Sequence, residues 1–357
     1  MWDLAVREDD YEDAAAMVSR MKSPPLSMQL MLTFARGDSS ARAAIVEQAR
    51  GHDSRQSQIA ARYVATFLQD FAAAETLARL DLQERRRPPS RVGAQNFLAW
   101  LELARGRWST AKAAFDVAQK LEEAPSFLTQ RALAASLPFL VVPQSDLASI
   151  RAEVAAWSAA VPQEPNAGLA AQLQPHLRLY LLGLLSSKLG DYPGADRYVM
   201  ELERTPAPPD ARAVVRGLAV TVRADAAARK GQTGPTLPAD HGAIPLELVS
   251  VPLFANAREF TLEHARYLRA LQLRANGQHG EALQWLDASF QGSPSEVVYL
   301  APVHLLRGQI YEQLGDREKA LEHYRRFVSL WRNCDAAMQP QLKEAQATIS
   351  RLERGSG

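Results

Sequence analysis

The chain has 357 residues, 47% of them hydrophobic, enough for two ordinary domains or one long repeat array with its own core. Forty-one Lys and Arg stand against forty Asp and Glu, a formal charge of +1, which argues against binding driven by counterion release from nucleic acid. The single cysteine, Cys334, excludes an internal disulfide framework and a cysteine-based metal site.

The N-terminal stretch MWDLAVREDDYEDAAAM is acidic and has neither the basic nor the apolar region of a signal peptide. It reads as the second helix of a hairpin entered midway, with Trp2 and Leu4 on at most one or two turns, which implies a segment before Met1. Two weaker helical pairs follow over 24–82, LTFARGDSSARAAI and VATFLQDFAAAETLARL. QERRRPPSR, 83–91, is the one basic cluster, carrying Arg85, Arg86, Arg87 and Arg91, and Pro88-Pro89 interrupts the helical pattern there. It reads either as a solvated linker or as a docking spot for an acidic or phosphorylated partner, since guanidinium forks match phosphate.

FLAWLELARGRWSTAKAAFDVAQ, 97–119, is a clear helix pair broken at Gly106, with Trp108, Ala111, Phe115 and Ala118 on the second helix. Residues 126–161 show helical periodicity alone. LGLLSSKLGDYPGADRYVMEL, 182–202, repeats the pair with Gly183, the turn Gly190-Asp191 and Ala195. Residues 209–230 read as one long helix, and the Gly- and Pro-rich stretch after it as a long break within the array. YLRALQLRANGQHGEALQWL, 267–286, pairs again across Gly277.

The best unit is 301–334. Val303, Leu306, Ile310 and Leu314 mark the inner face of its first helix, and Ala320, Tyr324, Phe327, Val328 and Trp331 that of its second. Gly315 closes the first helix and Asp316 caps the second. Gly308 and Ala320 are small enough for the two helices to touch, and Tyr311 and Tyr324 are expected to fill the wedge towards the next pair. PQLKEAQATISRLE then starts with Pro340 and places Leu342, Ala345, Ile349 and Leu352 on one face, with a polar opposite face, as a terminal cap requires.

Catalytic motifs are missing. There is no phosphate-binding GxxxxGK[ST], no GxSxG, no HExxH and no GxGxxG, and GQTGPT at 231–236 lacks the lysine and helix start of a phosphate loop. No two of the seven histidines stand at i, i+4 on one helix. The expectation is a protein that is not an enzyme and carries no cofactor or metal. No apolar run reaches the roughly 18–20 residues of a membrane span, so no membrane insertion is expected, and a cytoplasmic location follows by default.

These spacings resemble the tetratricopeptide repeat, a helix–turn–helix of about 34 residues. The likeness is clear at 92–125, 176–207, 263–294 and 301–334. It implies an all-α, right-handed solenoid of helix hairpins with a C-terminal capping helix. The expected organisation is an N-terminal array at 1–230, a loop at 231–256, a C-terminal repeat pair at 257–334 and a cap with tail at 335–357. It also implies a concave groove, lined by the first helix of each unit, for an extended peptide or a helix. Carried over by position, the groove residues are Asn96 and Trp100, then Tyr180 and Lys188, then Tyr267 and Arg274, then Gln309 and Gln313. The lysine-and-asparagine carboxylate clamp of chaperone-binding relatives is absent. The closing repeats, with Tyr324, Phe327 and Trp331 and the cap, are similar to the arrays that follow serine/threonine kinase domains in bacterial signalling proteins. That likeness implies a signalling scaffold with a fused or separate kinase partner. The alternative is a ligand-sensing arm of a larger kinase- or transcription-regulator-type protein.

Overall fold

A computed structural model describes residues 5–6, 10–51, 54–83, 88–121, 125–159, 168–232, 234–235, 263–287 and 296–354. Within them the chain is all-helical: eighteen α-helices, short 3-10 turns and no strand. It forms two compact units, one of residues 1–123 with 290–300, the other of 124–289 with 301–357.

In the first unit the helices are α1 (Tyr11–Ser19), α2 (Leu26–Arg36), α3 (Ser39–Arg50), α4 (Ser54–Thr66), α5 (Phe71–Arg79), α6 (Pro88–Ala104) and α7 (Trp108–Leu121). Sequential partners pack as hairpins, α4 on α5 and α6 on α7, and α2 and α5 bridge to the neighbouring pair. The 3-10 turn Val297–Tyr299 packs on α6.

The second unit holds α8 (Pro125–Ser136), α9 (Gln144–Ala156), α10 (Leu169–Gln172), α11 (Gln174–Lys188), α12 (Tyr192–Arg204), α13 (Arg212–Arg229), α14 (Glu263–Ala275), α15 (His279–Asp287), α16 (Leu300–Gln313, from Ala301 onward), α17 (Arg317–Trp331) and α18 (Gln339–Arg354). Here α11 pairs with α12, α14 with α15, and α13 packs on α11, α12 and α14.

One turn recurs at the hairpins, and glycine makes it. Gly106, Gly190, Gly277 and Gly315 have φ of +72°, +80°, +74° and +76°, where a side chain would be strained. At Gly190 the N–H bonds the Ser187 carbonyl at 3.0 Å, and the next N–H, of Asp191, bonds the Ser186 carbonyl at 2.9 Å. The same pair of bonds, which satisfies the orphan carbonyls of a helix end, closes the turns at Gly106, Gly277 and Gly315. The residue after the glycine then starts the second helix. Asp191 and Asp316 each accept the backbone N–H three residues on, at 3.0 and 3.1 Å.

Four residues past this cap comes an alanine, at Ala14, Ala74, Ala111, Ala195, Ala282 and Ala320, and each is fully buried. Glycine allows a close approach elsewhere: a β-carbon on Gly308 would stand 3.1 Å from the Tyr324 ring, and one on Gly183 would stand 2.9 Å from a Val222 methyl group. Within their own hairpin Tyr324 lies on Gly308, and Tyr311 stacks on His323 at 5.4 Å. Leu314 is exposed, because α16 ends one residue before it and the glycine turn carries it off the inner face.

The closing helix α18 packs on α17 with Leu342 and Ala345 buried and Ile349 and Leu352 half-buried. Arg317 donates to the Leu352 and Glu353 carbonyls at 2.7 and 3.2 Å, capping its last turn. Among the described residues no helix is long and apolar enough to cross a membrane.

Candidate functional site

The residues expected in the groove fall into two kinds of environment. Trp100, on α6, is 1% exposed and meets Phe115 of α7 edge-on, ring centres 5.9 Å apart; Asn96, one turn earlier, is half-buried. In the second unit Tyr180 is 1% exposed and Tyr267 8%, the latter edge-on to Phe139 at 5.4 Å. Burial pushes both phenols well above the ordinary tyrosine range, and the charge on Asp225 adds to this at Tyr180.

Lys188 ends α11 and points inward. Its ammonium donates to the Leu137 carbonyl at 2.7 Å and the Leu140 carbonyl at 2.9 Å, tying down the chain that leaves α8. Burial, then the nearby Arg229 charge, lowers its pKa well below the usual lysine value.

Beside it lies a buried polar hub that the sequence reading did not single out. Asp225 of α13 is 1% exposed. Its carboxylate accepts from Ser187 Oγ at 2.6 Å, Arg229 Nε at 2.7 Å and His264 Nε2 at 3.1 Å. Burial alone would raise its pKa; the His264 hydrogen bond and the Arg229 charge overcome that and hold it well below the carboxylate range. Ser187 gives its proton to the Asp225 carboxylate, and His264 meets the other oxygen of the same carboxylate. They fasten α11, α13 and α14 together. The signal for this hub was faint: Leu218, Val222 and Asp225 share one helical face, and Asp225 stands in an alanine run with Arg229 four residues on, a pairing that also suits an exposed helix surface.

A second set stays in contact with solvent. Arg274 of α14 donates to Gln309 Oε1 of α16; both are half-buried, and Gln313 is exposed one turn beyond. Next to them Glu312 accepts from Tyr324 Oη at 2.7 Å and from Arg351 of α18. Its burial is outweighed by the Arg351 and Tyr324 bonds, and its pKa is lowered. The structure therefore brings Arg274, Gln309 and Gln313 into one strip, and gathers Tyr180 and Asp225 in the interior with the half-buried Lys188 beside them. Arg91 is half-buried in the first turns of α6; Arg85, Arg86 and Arg87 lie outside the described residues, as does most of 231–256.

Among the described residues no group of three or more His, Cys, Asp and Glu side chains is placed to hold a metal ion. Cys334 is buried, which raises its thiol pKa. No curated protein matches the chain. Residues 301–334, the hairpin of α16 and α17, match the tetratricopeptide-repeat family model, and the chain thus contains a tetratricopeptide repeat within an all-helical fold.

Proposed function

We propose that this chain is a non-catalytic scaffold: a right-handed solenoid whose repeats capture a peptide or a helix from a partner protein. Tetratricopeptide repeats generally mediate protein–protein contact, and the observation that carries the reading here is the strip Arg274–Gln309–Gln313. It crosses two successive first helices and keeps unspent hydrogen-bonding groups at the surface beside the matched repeat. Asn96 is a second candidate contact. Tyr180, Lys188 and Tyr267 act from beneath in the second unit, fixing its helices, as Trp100 does within the first. Bacterial signalling, with a fused or separate serine/threonine kinase partner and a cytoplasmic setting, is the context that the likeness of 263–354 favours. Arg91, with Arg85, Arg86 and Arg87, would offer an acidic partner a second foothold.

The test is affinity capture from the native cell extract with wild type and an Arg274→Glu/Gln313→Ala variant of unchanged circular dichroism. A partner held by wild type and lost by the variant supports the strip; the same set of captured proteins from both overturns it.

A further inference from the structure

Gly231, Gln232 and Gly234, read from sequence as part of a linker, build one wall of a cleft. Gly231, φ +67°, turns the chain out of α13 through the hydrogen-bond pair used at the hairpins: its N–H bonds Ala228 O at 3.1 Å, and that of Gln232 bonds Ala227 O at 2.9 Å. The chain then comes back over the end of α13. Gly234 lies so close that a β-carbon there would stand 2.9 Å from the Ala227 methyl group and 3.2 Å from Ala224 Cα. The Pro235 carbonyl accepts a hydrogen bond from Gln272 Nε2 of α14 at 3.1 Å, which ties this wall to the facing helix.

Between α13, α14 and this return lies a cleft of about 350 Å³. That is within the range of small-molecule sites, roughly 300–1,000 Å³. Ala224 and Ala228 leave the space open because they carry only methyl groups; Leu268 and Leu271 make it apolar. Four polar residues complete the lining, Gln232, Arg269, Gln272 and Asn276, and two of them, Arg269 and Gln272, have a buried side-chain atom left over. Arg269, 13% exposed, reaches the Glu281 carboxylate only at 3.4 Å, and its Nε–H meets no acceptor among the described residues. Gln272 Oε1 meets no donor among them either. Unmet buried groups of this kind cost stability unless a ligand pairs with them.

We propose that this cleft binds a short aliphatic α-amino acid. The ligand carboxylate would pair with the Arg269 guanidinium, its ammonium would donate to Gln272 Oε1, and its side chain would lie against Ala224, Ala228 and Leu268. An inorganic anion would leave the alanine and leucine wall uncovered, and a neutral hydrocarbon would leave both polar groups unpaired. The site is separate from the strip on α14 and α16 and does not depend on that strip binding a peptide.

The experiment is calorimetric titration of the full chain with L-leucine, with 4-methylpentanoate, which lacks the ammonium, and with isoamylamine, which lacks the carboxylate. L-Leucine is expected to bind, and both analogues to bind more weakly. Arg269→Gln should weaken L-leucine binding by about tenfold or more, the loss of one charge-assisted contact. Ala228 is exposed within the cleft, so Ala228→Leu fills the space without overpacking and should abolish binding while the circular dichroism stays unchanged. No heat from L-leucine with wild type, either analogue binding as tightly as L-leucine, or full affinity in Ala228→Leu would each overturn the proposal.

Discussion

At the residue scale the most consequential group is Asp225. Three donors from three helices converge on its carboxylate, and their own satisfaction depends on it. Removing one partner of a buried ion pair leaves the other charge uncompensated, which costs about 3–5 kcal/mol. Asp225→Ala should therefore lower the unfolding free energy by about that amount in a urea titration, whereas the exposed pair Arg50–Glu47 should give well under about 1 kcal/mol when broken. A loss at Asp225 no larger than that at the surface pair would show that the hub is not load-carrying. Gln69 makes the opposite case. It holds φ +52° just before the cap Asp70, the place that glycine takes in the other hairpins. Gln69→Gly relieves the left-handed strain, and despite the greater freedom of an unfolded glycine it should stabilise by up to about 1 kcal/mol. A lower melting temperature would refute that account. Neither residue was legible in the sequence as special. Burial of a charge depends on which face neighbours cover, and a glutamine carries no mark of positive φ.

At the scale of the element, the hairpin α16–α17 was the most legible part of the molecule. Gly315, Asp316 and Ala320 predicted a turn, a cap and a close contact, and each stands in that role. These are short-range features, set by backbone conformation and by the absence of side-chain volume, so they are written locally. Ala320→Leu would push extra carbons into a contact with no free space, at a cost of about 1–3 kcal/mol; an unchanged melting temperature would mean the helices can part there at no cost. The same hairpin hides a feature that no spacing rule reveals. His304 and His323 face each other across the two helices, Nδ1 to Nδ1 at 3.1 Å, with Tyr311 stacked on His323. Burial lowers the His304 pKa to about 3, helped by the charges of His323, Arg307 and Arg326. Burial, with Arg307, lowers that of His323 to about 4 despite the opposing pull of Glu322 and Asp287. Both rings are thus neutral in the fold, while in the unfolded chain they take up protons below about pH 6.5. The unfolded state binds more protons in that window, so stability should fall as pH drops from about 6.5 towards 4, fall more gently down to about 3 and level off below. A His304→Asn/His323→Asn variant should show a shallower decline of melting temperature across that range. Parallel profiles for the two proteins would sink the assignment.

At the scale of the whole molecule, the sequence conveyed the helical class and the hairpin period but not the packing units. Nothing in the periodicity marks residue 123, because a hairpin reads the same whichever neighbour it packs against; the division is a property of contacts far apart in sequence. Each repeat buries its inner face only against the next, so a single one should not stand alone. The matched repeat with its cap, residues 301–354, is tied to the preceding hairpin by the Arg274–Gln309 bond and by Arg307 to Leu286 and Asp287, bonds that a fragment lacks. As an isolated fragment it should show little helical circular dichroism in water. A fragment of residues 124–357 contains the whole second unit, including the Asp225 hub and the Lys188 clamp. It should be helical and unfold in one cooperative urea transition, and Asp225→Ala within it should move that midpoint by the same free energy as in the full chain. A shorter fragment as helical as the longer one would mean that the repeat needs no neighbour. A longer fragment without a cooperative transition would mean that the second unit depends on the first for its core.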